Sequence, residues 1–338
     1  MATIYDIAKR TGYSPATVSK AFNHYSDISR KTRDHILNTA REMGYLPNTQ
    51  ARALTTKRSW TIGLLFLEKT GVGLRHPFFG GVLEGFKQTA ATAGYDLLFL
   101  SKDIGGKANS YLEHGKMRGV DGVAVLMYDA MDADYAELLR GDLPCVVLDS
   151  DTEAAVTLAS DNAAGSRQAI DYLYGLGHRK IAHIAGGRGT FAGTKRREGF
   201  EQGVSEHGLE LRPEWVVEAH FDYSVESGYR AMEELLRAEE RPTAVFAAGD
   251  NLAVGAIQAA QAAGLHVPDD ISVIGYDDIE LARYLTPSLT TVRQDMAGLG
   301  ARAAQLLIHA IENGGSKEAV IHPVELVVRQ SCREPNRG

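Results

Sequence analysis

Three aspartates stand at or just beyond the carboxyl ends of apolar runs: Asp149 after CVVL, Asp250 after AVFAAG, and Asp277 within VIGYDD. In open α/β sheets ligands bind where strands end and loops converge, and a carboxylate there can take paired hydrogen bonds from a polyol. A strand-end aspartate can equally cap the helix that follows, so each has a structural alternative. Catalysis would need more. GxSxG, HExxH and GxxxxGK[ST] are absent, and His178 and His183 lie five apart, off the spacing of a helical metal pair. Gly186-Gly187-Arg188-Gly189 follows an apolar run, as a phosphate loop would, but lacks the GxGxxG spacing. The chemistry expected is binding, in a non-enzyme with no metal and no cofactor.

A second group lies in the first 59 residues, where ten Lys/Arg face four acids. This head carries +6 and leaves −13 for the rest of a chain whose net charge is −7. A basic head on an acidic body suits an anionic partner, and charge alone suits a solvated tail as well. Local signals favour a folded head. Ile4, Ile7 and Ala8 mark a helix ending near Gly12, Ser14 and Pro15 start a second that runs to about Asn23, and Ser29 caps a third that runs through Ile36, Ala40 and Met43 to Gly44. This is a helix-turn-helix pattern. The second helix offers Pro15, Ala16 and Lys20 where a major-groove helix meets base edges, with Lys20 able to donate to guanine. As alternatives, Ser14 simply caps, Pro15 simply starts the helix and Lys20 is simply solvated. Further on, NTQARALTT reads as a helix of about two turns, too short to be stable alone, with small Ala51 and an apolar Leu54 that has no evident core.

The elements that must position the aspartates follow from Ile62 onward. Short apolar runs (62–67, 96–100, 122–127, 145–148, 181–185, 244–247 and 271–275) alternate with amphipathic helices (79–93, 163–176, 195–207, 225–238, 252–263 and 297–312). That alternation predicts two doubly wound parallel-sheet lobes behind an α-helical headpiece. The expected domains are the headpiece 1–46, a hinge helix and linker 47–59, and a core 60–338. Within the core the N-lobe takes about 60–160 and 292–320, and the C-lobe about 161–291 and 321–338. Cys145 and Cys332 are too few for a disulfide framework, no apolar run reaches the ~20 residues of a membrane span, and the N-terminus lacks signal-peptide features. The expected location is the cytoplasm, with no membrane contact.

TIYDIAKRTGYSPATVSKAFN, GYLPNTQARAL, HPFFGGVLEGF, SDNAAG, LGHRKIAHIAG, RREGF, ESGY, PTAVFAAGD, VPDDISVIGYDDI and LTPSLTTVRQDMAGLG occur in this order over nearly the whole chain. On these motifs the sequence resembles the LacI/GalR family of bacterial transcription regulators. The resemblance implies a homodimer, a core similar to periplasmic sugar-binding proteins, pseudo-palindromic double-stranded operator DNA, and a small effector, expected to be a carbohydrate, between the lobes. It implies phosphate contacts at Tyr5, Ser14, Thr17, Ser19, Asn23, Ser29 and Thr32, and paired hinge helices wedging Leu54 into the minor groove beside Ala51. It implies effector contacts at Arg196 and Asp277, aromatic contacts at Phe79 and Tyr223, and further contacts at Asp149, Asp250 and Gln294. Three positions depart from the usual family pattern: Lys20 where arginine is common, Gly249 where Asn-Asp is common, and His76 where asparagine is frequent. The effector therefore cannot be copied from a relative. A family member answering mainly to a protein corepressor is the second reading.

Overall fold

The computed structural model describes residues 2–22, 25, 27–45, 58–67, 73–187, 189–219, 222–314 and 317–336. The chain divides into two compact units, Met1–Trp60 and Thr61–Gly338. The expected hinge 47–59, with Ala51 and Leu54, lies outside the described residues except for Arg58 and Ser59, as does Asn23.

The first unit is three helices, α1 (Ile4–Thr11), α2 (Pro15–Phe22) and α3 (Arg30–Glu42). Each start is written locally. Thr3 and Asp6 form a reciprocal capping box on α1, the Ser14 hydroxyl accepts the Thr17 N–H at 3.1 Å, and the Ser29 hydroxyl accepts the Thr32 N–H at 3.1 Å. Gly12 closes α1 at φ 74°, a left-handed position that glycine takes without strain. Ile7, Ala8, Val18, Ala21, Ile36 and Ala40 form the core.

The second unit holds two six-stranded sheets. The N-lobe sheet uses β1 (Thr61–Phe66), β2 (Asp96–Phe99), β3 (Gly122–Met127), β4 (Cys145–Leu148), β5 (Val156–Ser160) and β11 (Ala319–His322), in the order β11-β5-β4-β3-β1-β2, all parallel. The C-lobe sheet uses β6 (Ile181–Ala185), β7 (Val216–Glu218), β8 (Ala244–Ala247), β9 (Ser272–Asp277), β10 (Thr290–Gln294) and β12 (Val324–Val327), in the order β12-β10-β9-β8-β6-β7. Here β12 runs antiparallel to β10, a departure from the all-parallel expectation.

The helices are α4 (Pro77–Thr92), α5 (Tyr111–Arg118), α6 (Ala133–Arg140), α7 (Asn162–Gly175), α8 (Phe191–Glu206), α9 (Val225–Leu235), α10 (Asp250–Ala262) and α11 (Met296–Asn313). Helices α4 and α11 press together through glycines: a Cβ on Gly85 would stand 2.0 Å from the Ala297 carbonyl oxygen, and one on Gly300 1.9 Å from that of Val82. This contact seats the head of α4, and with it His76 and Phe79, against the N-lobe.

The chain passes between lobes after β5, after β10 and again between β11 and β12. The second and third crossings differ from the expected 292 and 321. Residues 292–294 complete a strand paired to β9 and β12, and 321–322 complete a strand paired to β5. The ladder hydrogen bonds, not the apolar pattern, set those limits.

Candidate functional site

On the headpiece, packing separates the two faces of α2. Val18 and Ala21 are buried, whereas Pro15, Ala16 and Lys20 are exposed. The Lys20 ammonium bonds the Asp27 carboxylate at 2.5 Å, which raises the lysine pKa and lowers that of the aspartate. Any base contact by Lys20 therefore competes with Asp27. Tyr5 is 71% exposed, and Ser14 and Ser29 lie exposed at helix starts. Each serine also shares a hydroxyl hydrogen bond with the threonine three residues on, Ser14 with Thr17 and Ser29 with Thr32, both at 2.9 Å. A hydroxyl pair consumes one of its two protons, so capping leaves each pair a donor to offer outward. Ser19 is partly buried.

In the core, a cavity of about 570 Å³ opens between the lobes. Phe79, Asp149, Arg196, Tyr223 and Asp277 all line it, joined by His76, which sequence reasoning singled out only as a departure. Burial grades from floor to rim. Arg196 and Asp277 are each 4% exposed, Leu148 1% and Phe78 7%, whereas Met131 at the edge is 90% exposed.

Arg196 is fixed on several sides. Its Nε donates to Asn162 Oδ1 at 2.8 Å, its Nη1 donates to the Ala248 carbonyl at 2.6 Å and stands 3.5 Å from Asp277 Oδ1, and its guanidinium stacks 3.7 Å above the Tyr276 ring. Asp277 also accepts from Gln294 Nε2 at 2.6 Å. Burial raises the Asp277 pKa, opposed by the charge of Arg196. Burial pushes Asp149 up to about 6, again opposed by Arg196. Burial likewise lowers the His76 pKa, opposed by the charge of Asp277, and its Nδ1 is buried with no partner among the described residues. Its ring meets Phe79 edge-on at 5.9 Å, and Phe79 in turn meets Phe66 and Phe78.

Three cavity residues sit in left-handed backbone: Asp149 at φ 48°, Tyr223 at φ 49° and Asp277 at φ 114°. Such conformations cost of order 1–3 kcal/mol each and persist where surrounding structure imposes them. For Asp277 the support is visible next door. Asp278, its side chain 1% exposed, is gripped by Arg293 at 2.7 Å and Arg329 at 2.5 Å. Tyr223 lies in a recess made by absent side chains. A Cβ on Gly186 would fall 1.9 Å from its hydroxyl, and one on Gly249 3.0 Å from its Cδ1. The first glycine of GGRG thus makes room for a phenol.

Two expected contacts stand behind the wall instead. Asp250 is fully buried, and its carboxylate accepts the Ile279 N–H at 2.8 Å and the Thr291 hydroxyl at 2.6 Å, so it ties the loop after β9 to β10. Gln294 does not line the cavity; it orients Asp277. Tyr128, Asp129, Phe191 and Asp222 line the cavity and were not foreseen. The strand-end rule that picked Asp149 would have found Tyr128 and Asp129, just past β3.

Comparison with known proteins agrees with both halves of the molecule. A model of bacterial regulatory proteins, lacI family, matches residues 3–48, and one of a periplasmic binding protein-like domain matches residues 170–332. The probable HTH-type transcriptional repressor ExuR of Bacillus subtilis (strain 168) is 36% identical over 337 residues, covering 98% of this chain and 99% of the relative. The HTH-type transcriptional repressor PurR of Erwinia tasmaniensis is 38% identical over 341 residues, covering 99% and 98%. Among solved structures, the lac repressor dimer bound to operator and the anti-inducer ONPF aligns with TM-score 0.79 at 28% identity over 98% of this chain and 99% of that one. A transcriptional regulator CelR–cellobiose complex aligns with TM-score 0.71 at 29% identity over 98% and 100%.

Proposed function

We propose a function on the premise that the chain belongs to the lacI family of bacterial regulatory proteins: it is a sequence-specific DNA-binding transcriptional repressor whose operator affinity is set by a small sugar-like effector held between the core lobes. The observation that carries this reading is the pairing of a basic three-helix head with a core cavity that draws its walls from both lobes. A ligand touching both lobes binds best when they close on it, so its binding free energy biases the core toward one arrangement. Coupling of about 1–3 kcal/mol between sites gives roughly 5–150-fold changes in DNA affinity.

The protein acts as a homodimer on a pseudo-palindromic operator, because a two-fold pair of recognition helices reads two symmetric half-sites. Pro15, Ala16 and Lys20 face base edges; Tyr5, Ser14, Thr17, Ser19, Asn23, Ser29 and Thr32 hold phosphates. Leu54, flanked by the small Ala51, wedges the minor groove. Phe79, Asp149, Arg196, Tyr223 and Asp277 contact the effector, with Gln294 positioning Asp277. No step of this cycle is catalytic, and its setting is the cytoplasm. No helix among the described residues is long and apolar enough to cross a membrane.

The test is fluorescence anisotropy of the full-length protein on an operator selected from random duplexes, with and without added sugars. Selection of a palindromic site, and release by at least one sugar, supports the proposal. Binding without sequence preference, or a selected operator indifferent to every sugar, refutes it.

A further inference from the structure

Three crossings join the lobes, and each is a single residue long. Asp161 lies between Ser160 at the end of β5 and Asn162 at the start of α7, Asp295 between Gln294 of β10 and Met296 of α11, and Pro323 between His322 of β11 and Val324 of β12. Any change in the angle between the lobes must be absorbed at these few backbone positions. Asp161 (φ −71°, ψ 71°) and Asp295 (φ −75°, ψ 81°) share one bend, close to that of an inverse γ-turn, and each caps the helix it leads into.

These two crossings each send one buried amide to the cavity floor. Asn162 is 2% exposed; its Oδ1 accepts from Arg196 Nε at 2.8 Å and its Nδ2 donates back to the Ser160 carbonyl at 3.1 Å. Gln294 is 4% exposed, and its Nε2 donates to Asp277 Oδ1 at 2.6 Å. Neither amide lines the cavity, yet each holds one member of the Arg196–Asp277 pair, whose Nη1 and Oδ1 stand 3.5 Å apart. Arg196 also moves with its crossing. A Cβ on Gly199 of α8 would stand 2.3 Å from the Ala163 carbonyl oxygen of α7, so the helix that carries Arg196 meets the first turn after Asp161 backbone to backbone. On the far side the crossings are tied to one another. The Asp161 N–H donates to the His322 carbonyl at 2.8 Å, and His322 Nε2 stands 4.0 Å from the Asp295 carboxylate. The contacts form a closed circuit from Arg196 through all three crossings and back to Asp277.

On the reading of the cavity as the effector site, we infer that Asn162 and Gln294 are coupling residues: they carry occupancy of the Arg196–Asp277 pair to the lobe crossings and so set how far an effector changes operator affinity. A ligand that draws on Arg196 or Asp277 competes with the two amides for the same charged groups, and a displaced amide changes how its crossing is held. Both are positioning residues, acting through the floor pair rather than on the ligand.

Hydrogen exchange of the full-length dimer, read on peptides over residues 156–165, 290–298 and 318–326, tests the circuit without a ligand. Asn162→Asp keeps an acceptor for Arg196 but loses the donor to Ser160, and Gln294→Glu loses the donor to Asp277. Each should speed exchange about tenfold at its own crossing and at the other two, and the double variant should add little to either single one. Asn162→Ala and Gln294→Met, which add no charge, should repeat the pattern. Acceleration confined to the substituted crossing in every variant overturns the inference. Anisotropy on the selected operator with glucose, galactose, ribose, maltose and cellobiose reads the coupling itself. A sugar that releases the native protein should still bind both single variants within about threefold by calorimetry, while its release of operator shrinks from the range of about 5–150-fold to less than about twofold. Release at native strength, or release that falls only in step with lost sugar affinity, overturns the inference. If none of the five sugars releases the native protein, the sugar reading is what fails, and the exchange pattern decides the role of the two amides.

Discussion

Gly186→Ala should expel the Tyr223 ring from the cavity wall. The new methyl carbon would stand 1.9 Å from the tyrosine hydroxyl and 2.6 Å from Cζ. Methyl carbons do not approach other heavy atoms to such distances, so the phenol must retreat by about 1 Å or more, and overpacking of this kind costs about 1–3 kcal/mol. The retreat is hindered, because the Tyr223 backbone is held at a φ of 49°. Calorimetric unfolding of the full-length protein should show a midpoint lower by roughly 2–4 °C per kcal/mol lost. In a Tyr223→Ala background the same methyl meets chiefly the Gly193 Cα at 3.2 Å, and the cost of Gly186→Ala should fall below about 0.5 kcal/mol. Effector affinity should fall about tenfold in the single variant, and operator affinity without effector should hold. Equal destabilisation in the two backgrounds would refute the recess. Loss of phosphate binding without any coupling to Tyr223 would restore the phosphate-loop reading of GGRG.

Other substitutions probe the remaining links. Asp27→Asn should free the Lys20 ammonium from its 2.5 Å partner, tighten operator binding severalfold and steepen its salt dependence by about one ion, whereas Lys20→Ala should weaken binding and relax selectivity at one base pair; anisotropy over a salt series would reveal unchanged slopes if the pairing is immaterial. Asp149 is easier to protonate folded than unfolded, so its contribution to stability is complete below its unfolded value near 4 and is lost as pH rises toward about 6. Urea unfolding should therefore show Asp149→Asn gaining on the native protein by up to about 1.4 kcal/mol per pH unit across that window, with no further gain above it; a flat difference would place the group in solvent. Leu54→Ala should weaken specific operator binding far more than binding to random duplex DNA, and equal losses in the two would end the wedge proposal.

What was legible in the sequence is what short-range chemistry dictates. Ser14, Pro15 and Ser29 mark helix starts because a cap bonds to an N–H three residues on, and the buried and exposed faces of α2 follow from its 3.6-residue period. The alternation of apolar runs with amphipathic helices likewise announced two α/β lobes. Edge strands were harder: β7 is only three residues long, and β12 has the burial of a half-exposed strand. Asp149, Asp250 and Asp277 all follow apolar runs, yet two face the cavity while Asp250 turns inward to bond Ile279 and Thr291. Neither partner is near Asp250 in sequence, so no local signal could separate the three. His76 and Met131 became cavity residues, and Gly186 became room for Tyr223, only when separate loops converged at the strand ends. Local propensity and period are written along the chain, whereas the direction of a side chain at a strand end, the neighbours that neutralise or strand its charge, and the volume left by a missing Cβ exist only once distant segments pack.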